Sequence, residues 1–426
     1  MEIEAVMDVD AEMEAEAEAE RKSDGDGEYE GEKRTSMPGS EVDSDAEVAR
    51  RQKMTKETAG DLLRGGEVKS EEAAKIEPDE GERMRGYDKY LEWKRRKEED
   101  YERNLDPEEL TDPYAFEARM FRKTWDYVYF KRCGSYDKNT MIPCKRFTYD
   151  PPPHGSTDPD TVQVYYLKVE DISGGLCWLL EVYGLVALRD SLDHNRNIIF
   201  ERERDICQML TDKNPYLALT GPVRAVVIYG LVIFEAFLYV KGATRSDDRE
   251  LSLIATSLGS FPYYGSRVIQ RSYTSRLSTL ELMIGHISYS VEATIEVRVT
   301  SGPWPDGFRC RFAAWAGIGQ SIVLLETKDD HVPLTGDNKI KLARRVVSVE
   351  SRGELQVLAS IRNGYTVYTE RKGFKPQKMG TSSKELCVGG CMLEITVYWS
   401  SFSILPVSLV QSANGENFVP YLFILK

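Results

Sequence analysis

Histidine is scarce, with only His154, His194, His286 and His331 in 426 residues. Nucleophilic catalysis by serine or cysteine needs a base in reach, and histidine is the usual one. His154 stands in a proline-rich joint, His286 in a strand pattern, and His194 and His331 in loops among aspartates, so a polar structural role is expected for each. The chain also lacks a Gly-x-Ser-x-Gly elbow and a Gly-x-x-x-x-Gly-Lys-Ser/Thr phosphate loop. An enzyme is therefore not expected, and no catalytic or cofactor-binding residue is assigned.

Cysteine is sparse too. Seven thiols, an odd number without framework spacing, read as reduced side chains of an intracellular protein, cytoplasmic or nuclear. Cys387 and Cys391 form the closest ligand-like pair, and Cys133 with Cys144 the next. Neither has a second Cys/His pair nearby, so no metal ligands are assigned. Long apolar runs are missing: the longest, 225–240, is interrupted by Gly230 and Glu235 and falls short of the about 20 residues of a membrane span. The acidic opening Met1-Glu2-Ile3-Glu4 does not resemble a secretory leader.

Acid, by contrast, is plentiful at the front. The first fifty residues carry roughly 18 acidic and 5 basic groups, about −13 of the formal −14. The run Ala11-Glu12-Met13-Glu14-Ala15-Glu16 continues in the same alternation to Glu20; its glutamates lie all round a helix and repel, so disorder is expected. Such a head either contacts basic partners or spaces and solvates. The remainder is near neutral, which argues against a nucleic-acid groove.

Between 81 and 130 aromatic residues stand among charges. Glu92 with Arg96, and Arg95 with Glu99, are i,i+4 opposite-charge pairs that support an exposed helix by about 0.2–0.5 kcal/mol each. The run Lys94-Arg95-Arg96-Lys97 reads either as part of that lattice or as a nuclear import signal. A second helix over 113–130 follows Asp112 as N-cap with Pro113 first, and its aromatics suggest docking. Pro151-Pro152-Pro153 then marks an extended joint.

From Thr161 the hydrophobic period becomes two, the spacing of a half-buried strand. Residues 176–186 follow it. Val291, Ala293, Ile295, Val297 and Val299 alternate with Glu292, Thr294, Glu296 and Arg298; Cys391, Leu393, Ile395, Val397 and Trp399 do the same near the end. Further strands are expected over 226–228, 232–240, 308–315, 321–325, 345–349 and 355–361, and one internal helix over 201–210. Turns at Ser173-Gly174-Gly175, Gly221-Pro222, Gly302-Pro303, Gly336-Asp337-Asn338 and Asn363-Gly364 punctuate them. The pattern predicts an all-β body, an antiparallel β-sandwich, C2-like or two related sandwiches, preceded by a disordered acidic head and a short helical segment. Phe234-Glu235-Ala236 and Val291-Glu292-Ala293 echo each other, as duplication would require and as chance among strands would also give.

The expected organisation is a disordered acidic tail (1–80), a charged and aromatic helical segment (81–130), a proline-rich linker (131–160), the sandwich body (161–403) and an irregular tail (404–426). Calcium is the sharpest ligand question. Asp190, Asp193, Asn195 and Asn197 share a loop after a strand, and Asp247 and Asp248 share another; a C2-type sandwich collects calcium with aspartates from two loops, since the ion takes six to eight oxygens. The alternative is that these side chains bond their own loop backbones.

Several phrases, among them Leu192-Asp193-His194-Asn195-Arg196-Asn197, Leu217-Ala218-Leu219-Thr220-Gly221-Pro222 and Val397-Tyr398-Trp399-Ser400, resemble a family of cereal grasses (Poaceae) catalogued as domain of unknown function 6598. The resemblance covers roughly 161–403 and implies no reaction. Some members look like fusions to a ribosome-inactivating N-glycosidase, whose Glu-x-x-Arg pair lies on a helix. Glu201-Arg202-Glu203-Arg204 has that spacing, but the head is too short and acidic for the toxin fold, so the activity is not carried over. A protein-interaction module is expected, with a C2-like membrane-surface module as its alternative. An unidentified protein is the expected partner, with nucleic acid not expected and no transmembrane segment.

Overall fold

The alternating stretches form strands because each buries one face on a facing sheet. The structure is a computed structural model that describes residues 92, 95, 96, 106–152, 157–261 and 265–403. Two compact units divide the chain, Met1–Asn104 and Leu105–Lys426. In the first, positions 92, 95 and 96 are helical, and Arg96 pairs with Glu92 at 2.8 Å as the i,i+4 reading requires. The acidic tail and the segment 404–426 lie outside the described residues.

The second unit opens with α1 (Pro107–Thr111), α2 (Pro113–Val128) and α3 (Phe130–Cys133). Asp106 and Asp112 cap the first two, accepting from the backbone N–H of Glu108 and Ala115, each with proline at the first helical position. Asp112 also accepts from Ser275 Oγ and the backbone N–H of Arg276, which fixes α2 to the body. Trp125 is fully buried and Tyr114 meets Tyr273 edge-on at 5.4 Å, so the aromatic helix docks.

The first sandwich runs through β1 (Thr161–Ile172), β2 (Leu180–Arg189), β3 (Asn197–Arg202), β4 (Gln208–Leu210), β5 (Val226–Val227), β6 (Ile233–Val240), β7 (Arg249–Ser257), β8 (Arg267–Ser275) and β9 (Ser278–Ile287). One sheet has the order β5-β1-β9-β8; the other is β3-β2-β6-β7, with β4 also pairing β2. Val164, Leu282, Val182, Phe234 and Ile254 close the core between them.

The second sandwich runs through β10 (Ser290–Ser301), β11 (Arg309–Trp315), β12 (Ile322–Glu326), β13 (Lys339–Ile340), β14 (Val346–Glu350), β15 (Leu355–Asn363), β16 (Thr366–Phe374), β17 (Met379–Val388) and β18 (Cys391–Ser400). Its sheets are β13-β10-β18-β17, with β14 also on β10, and β12-β11-β15-β16. Its core holds Val291, Ile295, Phe312, Val357, Leu393 and Trp399. All pairings named between strands are antiparallel.

The body is thus two sandwiches of one topology apart from the short strands β4, on β2, and β13, on β10. Moving nine strands along the chain maps β1 flanked by β5 and β9 onto β10 flanked by β14 and β18. It likewise maps β2 flanked by β3 and β6 onto β11 flanked by β12 and β15.

Three expectations are corrected. Residues 201–210 are not a helix: Arg202 ends β3, a 3-10 turn covers Arg204–Ile206, and β4 follows, because this stretch completes the ladder on β2. The segment 131–152 is no bare linker. Tyr136, Ile142 and Phe147 are buried, Thr140 N–H bonds Arg196 O, and Phe147 N–H bonds Ser400 Oγ, so the segment straps both sandwiches. The expected strand over 176–186 begins only at Leu180, since residues 173–179 make the turn out of β1.

The sandwiches meet through buried polar and aromatic groups. Arg344 donates to Gly221 O, Tyr165 O and Val164 O, and burial pushes its guanidinium down to about 10. The Tyr165 hydroxyl donates to Ile318 O at 2.8 Å; a side chain at Gly319 would place its Cβ 2.4 Å from that ring.

Candidate functional site

The aspartates that posed the calcium question point to different ends of one sheet. Arg189 pairs with Ile233 and Val182 with Val240, so the loop after β2 and the loop after β6 are seven residue steps apart, roughly 24 Å at about 3.4 Å per residue. Asp190 takes both prongs of Arg224, at 2.6 and 2.9 Å, and accepts from the backbone N–H groups of Leu192 and Val227. Asp193 accepts from Thr140 Oγ1 at 2.6 Å, from Arg224 at 3.2 Å and from its own loop at Asn195. At the other end Asp248 accepts from Arg204, Tyr183 and Gly242, while Asp247 closes a capping box on Thr244. Among the described residues no group of three or more His, Cys, Asp or Glu side chains could hold a metal ion.

Asp190 and Asp193 belong to a buried ionic lattice that fastens the strap to the sandwiches. Glu235, fully buried on β6, takes Arg189 at 3.0 Å and Arg196 at 2.9 Å. The Arg189 guanidinium also lies 4.4 Å over the Trp125 ring and donates to Tyr136 O. Glu292 on β10 accepts from the backbone N–H of Lys145 and of Ala225, both at 2.8 Å, joining strap, first sandwich and second sandwich; burial raises its carboxyl. The cavity left between Ile142, Phe147, Arg224, Glu292 and Phe402 has a volume of about 20 Å³, room for a water. A small-molecule site takes about 300–1,000 Å³.

Of the other groups singled out for chemistry, His194, His286 and Cys391 are held internally. His286 is buried with Nε2 at 2.7 Å from Asp160. His194 stacks on Tyr129 at 4.6 Å, and burial together with Arg132 pushes its imidazole below the ordinary value. The backbone N–H of His331 caps on Asp329, and His154 lies outside the described residues. All seven cysteines are free; Cys391 faces the core, Cys387 is exposed, and burial pushes the Cys310 thiol up to about 11.

Exposed apolar and aromatic side chains are spread over several elements, among them Tyr127 on α2, Tyr289 before β10 and the hairpin β15–β16. Asn363 pairs with Thr366 across the turn Gly364-Tyr365, and Gly364 has φ +56, a conformation that glycine adopts without a Cβ clash. Tyr365 is fully exposed at 108%, followed by Val367 at 41% and Tyr368 at 47%. Tyr368 leans on Phe308, ring centroids 5.9 Å apart. Beside this tip, Arg362 pairs with Arg309 on β11 and with Val367 on β16. The turn at Asn363-Gly364 and the strand over 355–361 were legible beforehand; the convergence of Tyr365, Arg309 and Arg362 was not, because it depends on strand pairing.

Fold and surface together define a tandem β-sandwich protein with an N-terminal helical strap. The chain belongs to the family described as Domain of unknown function (DUF6598), whose model matches residues 161–397, more than half of the sequence. Comparison with curated proteins gave no match. Among solved structures the chain is similar to the tandem C2 domains, A and B, of Extended-Synaptotagmin 2 at 9% identity, covering 62% of this chain and 100% of that one with a TM-score of 0.20. The calcium-bound form of those domains gives 10% identity, 58% and 99% coverage and the same score. Human GIVD cytosolic phospholipase A2 gives 9%, 58% and 33%, again at 0.20. No helix among the described residues is long and apolar enough to cross a membrane.

Proposed function

We propose that this protein is a non-catalytic interaction module that holds another protein at the β15–β16 hairpin. One observation carries the reading: a fully exposed tyrosine stands at the tip of a register-fixed hairpin, with Val367 and Tyr368 beside it and arginines alongside. Tyrosine and arginine are the residue types that dominate binding hot spots, and a rigid tip loses little entropy on docking. Internal use of His194, His286 and the loop acids Asp190 and Asp193 supports a non-catalytic role, and seven free thiols support a place inside the cell. A photo-crosslinking phenylalanine analogue at position 365 of the full chain should capture a protein saturably. The pattern should fade in Val367→Thr/Tyr368→Thr. Capture no different from that at exposed position 201 would sink the reading.

A membrane-surface role is the second reading, favoured by Tyr229 and Leu231, which stand 44% and 65% exposed in the loop between β5 and β6. Co-sedimentation with phosphatidylserine vesicles tests it, and no pelleting with or without calcium removes it. Calcium dependence is not expected, since Asp190 and Asp193 stand at the opposite end of the sheet from Asp247 and Asp248. The phrases shared with cereal-grass proteins support a plant origin and kinship with accessory domains of N-glycosidases. The adenine-removing activity does not follow here: Glu201 lies on a strand, and Arg204 binds Asp248.

A further inference from the structure

We infer that the outward face of α2, continued by Phe130 of α3, pairs with an amphipathic helix of another protein that sets a carboxylate opposite Lys123. This contact is separate from the β15–β16 hairpin and does not rest on it.

Phe116, Met120, Lys123, Tyr127 and Phe130 follow one another in steps of four, three, four and three, the spacing of a coiled-coil seam. At about 3.6 residues per turn, all five fall within about 40° of the point opposite Trp125. Ala115, Ala118 and Trp125 form the buried side of the helix, which packs on β7. Tyr129 keeps helical backbone between α2 and α3. Its N–H donates to Trp125 O at 2.8 Å and its carbonyl accepts from Cys133 N–H at 2.7 Å, so Phe130 stays in phase. The seam is open: Tyr127 is 93% exposed, Met120, Lys123 and Phe130 are exposed, and Phe116 is half-buried.

Charge chooses the occupant. Lys123 stands at the middle of the seam, so a second copy of the chain, parallel or antiparallel in register, sets ammonium against ammonium. A carboxylate on a different helix satisfies that lysine instead, and one charged pair in an apolar seam fixes the register of the two helices. A bilayer fits less well. A helix lying on anionic lipid borders its apolar face with lysine and arginine, whereas this seam has acids on both sides. Glu117, Thr124 and Lys131 line one border, and Arg119 and Asp126 the other. Arg119 is already paired with Glu108 of α1. Borders of both signs are those of a helix that meets another helix.

The test is fluorescence anisotropy of the full chain with a labelled three-heptad helical peptide, leucine at a and d except for one glutamate at the middle d. The peptide is kept too dilute to pair with itself. Wild type should bind it about tenfold or more tighter than the same peptide with lysine in place of that glutamate. Lys123→Glu should invert the preference, and Tyr127→Asp should abolish binding of both peptides. Equal affinity for the two peptides overturns the inference, as does binding of neither, or a preference that Lys123→Glu leaves unmoved. It is also overturned if wild type pellets with phosphatidylserine vesicles in a manner that Tyr127→Asp abolishes, while neither peptide binds.

Discussion

Arg224 decides what the acidic loop after β2 can do. Its guanidinium is buried and closes on Asp190 with two prongs and on Asp193 with one, so the oxygens that sequence offers to a cation are already committed. Truncating one partner of such a pair leaves a buried charge uncompensated. Arg224→Ala should therefore cost about 3–5 kcal/mol, read from the urea midpoint, whereas Asp247→Ala on the exposed capping box should cost about 0.5–2 kcal/mol. Equal losses would mean that the lattice is not what fixes this loop. The sequence made Asp190 and Asp193 legible as loop residues after a strand. It did not reveal Arg224, more than thirty positions away, because that pairing exists only once β5 lies beside β1.

At the scale of elements, alternation found the strands that bury one clean face, such as β10 and β18, and the short apolar edges β5 and β12, and missed the polar edge strands. β8, β16 and β17 carry polar residues on both sides of an open edge, so their period is blurred although their ladders are complete. The strap was missed for another reason. Proline and polar residues in 131–152 read as a joint, yet its backbone is spent on partners far along the chain: Lys145 N–H on Glu292, Phe147 N–H on Ser400 and Thr148 O on Gly380 N–H. A protein beginning at residue 161, where the family match begins, loses all of these bonds and exposes Val227, Val346 and Phe402, which pack with Ile142. It should melt on the order of 10 °C below a protein beginning at 105, at about 1–3 kcal/mol for each buried group left unsatisfied. Equal melting temperatures by differential scanning calorimetry would reduce the strap to an ornament.

For the whole molecule, one topology used twice explains how so long a β body folds around two ordinary cores. The echo of Phe234-Glu235-Ala236 with Val291-Glu292-Ala293 pointed to duplication through the wrong strands, since β6 corresponds to β15 and not to β10. The two glutamates are alike only in being buried within the same polar joint. That joint gives the fold a predictable acid response. Burial with Arg132 lowers the His194 imidazole, so its contribution is complete above the unfolded value near 6.5 and is lost as pH falls below it. Three acids hold below their ordinary range against the opposing pull of burial: Asp137 through Arg196 and Arg122, Glu281 through Tyr166 and Lys168, and Glu296 through Lys145 and Lys339. Their contribution is present above about 4.5 and disappears beneath it, with Glu292, raised by burial, working the other way. The urea midpoint should accordingly begin to decline as pH falls through about 6.5, and drop again below about 4.5. His194→Asn suits the left-handed backbone at φ +57 and should abolish the first decline while sparing the second. A variant that keeps both steps would move the near-neutral sensitivity away from the Tyr129–His194 stack.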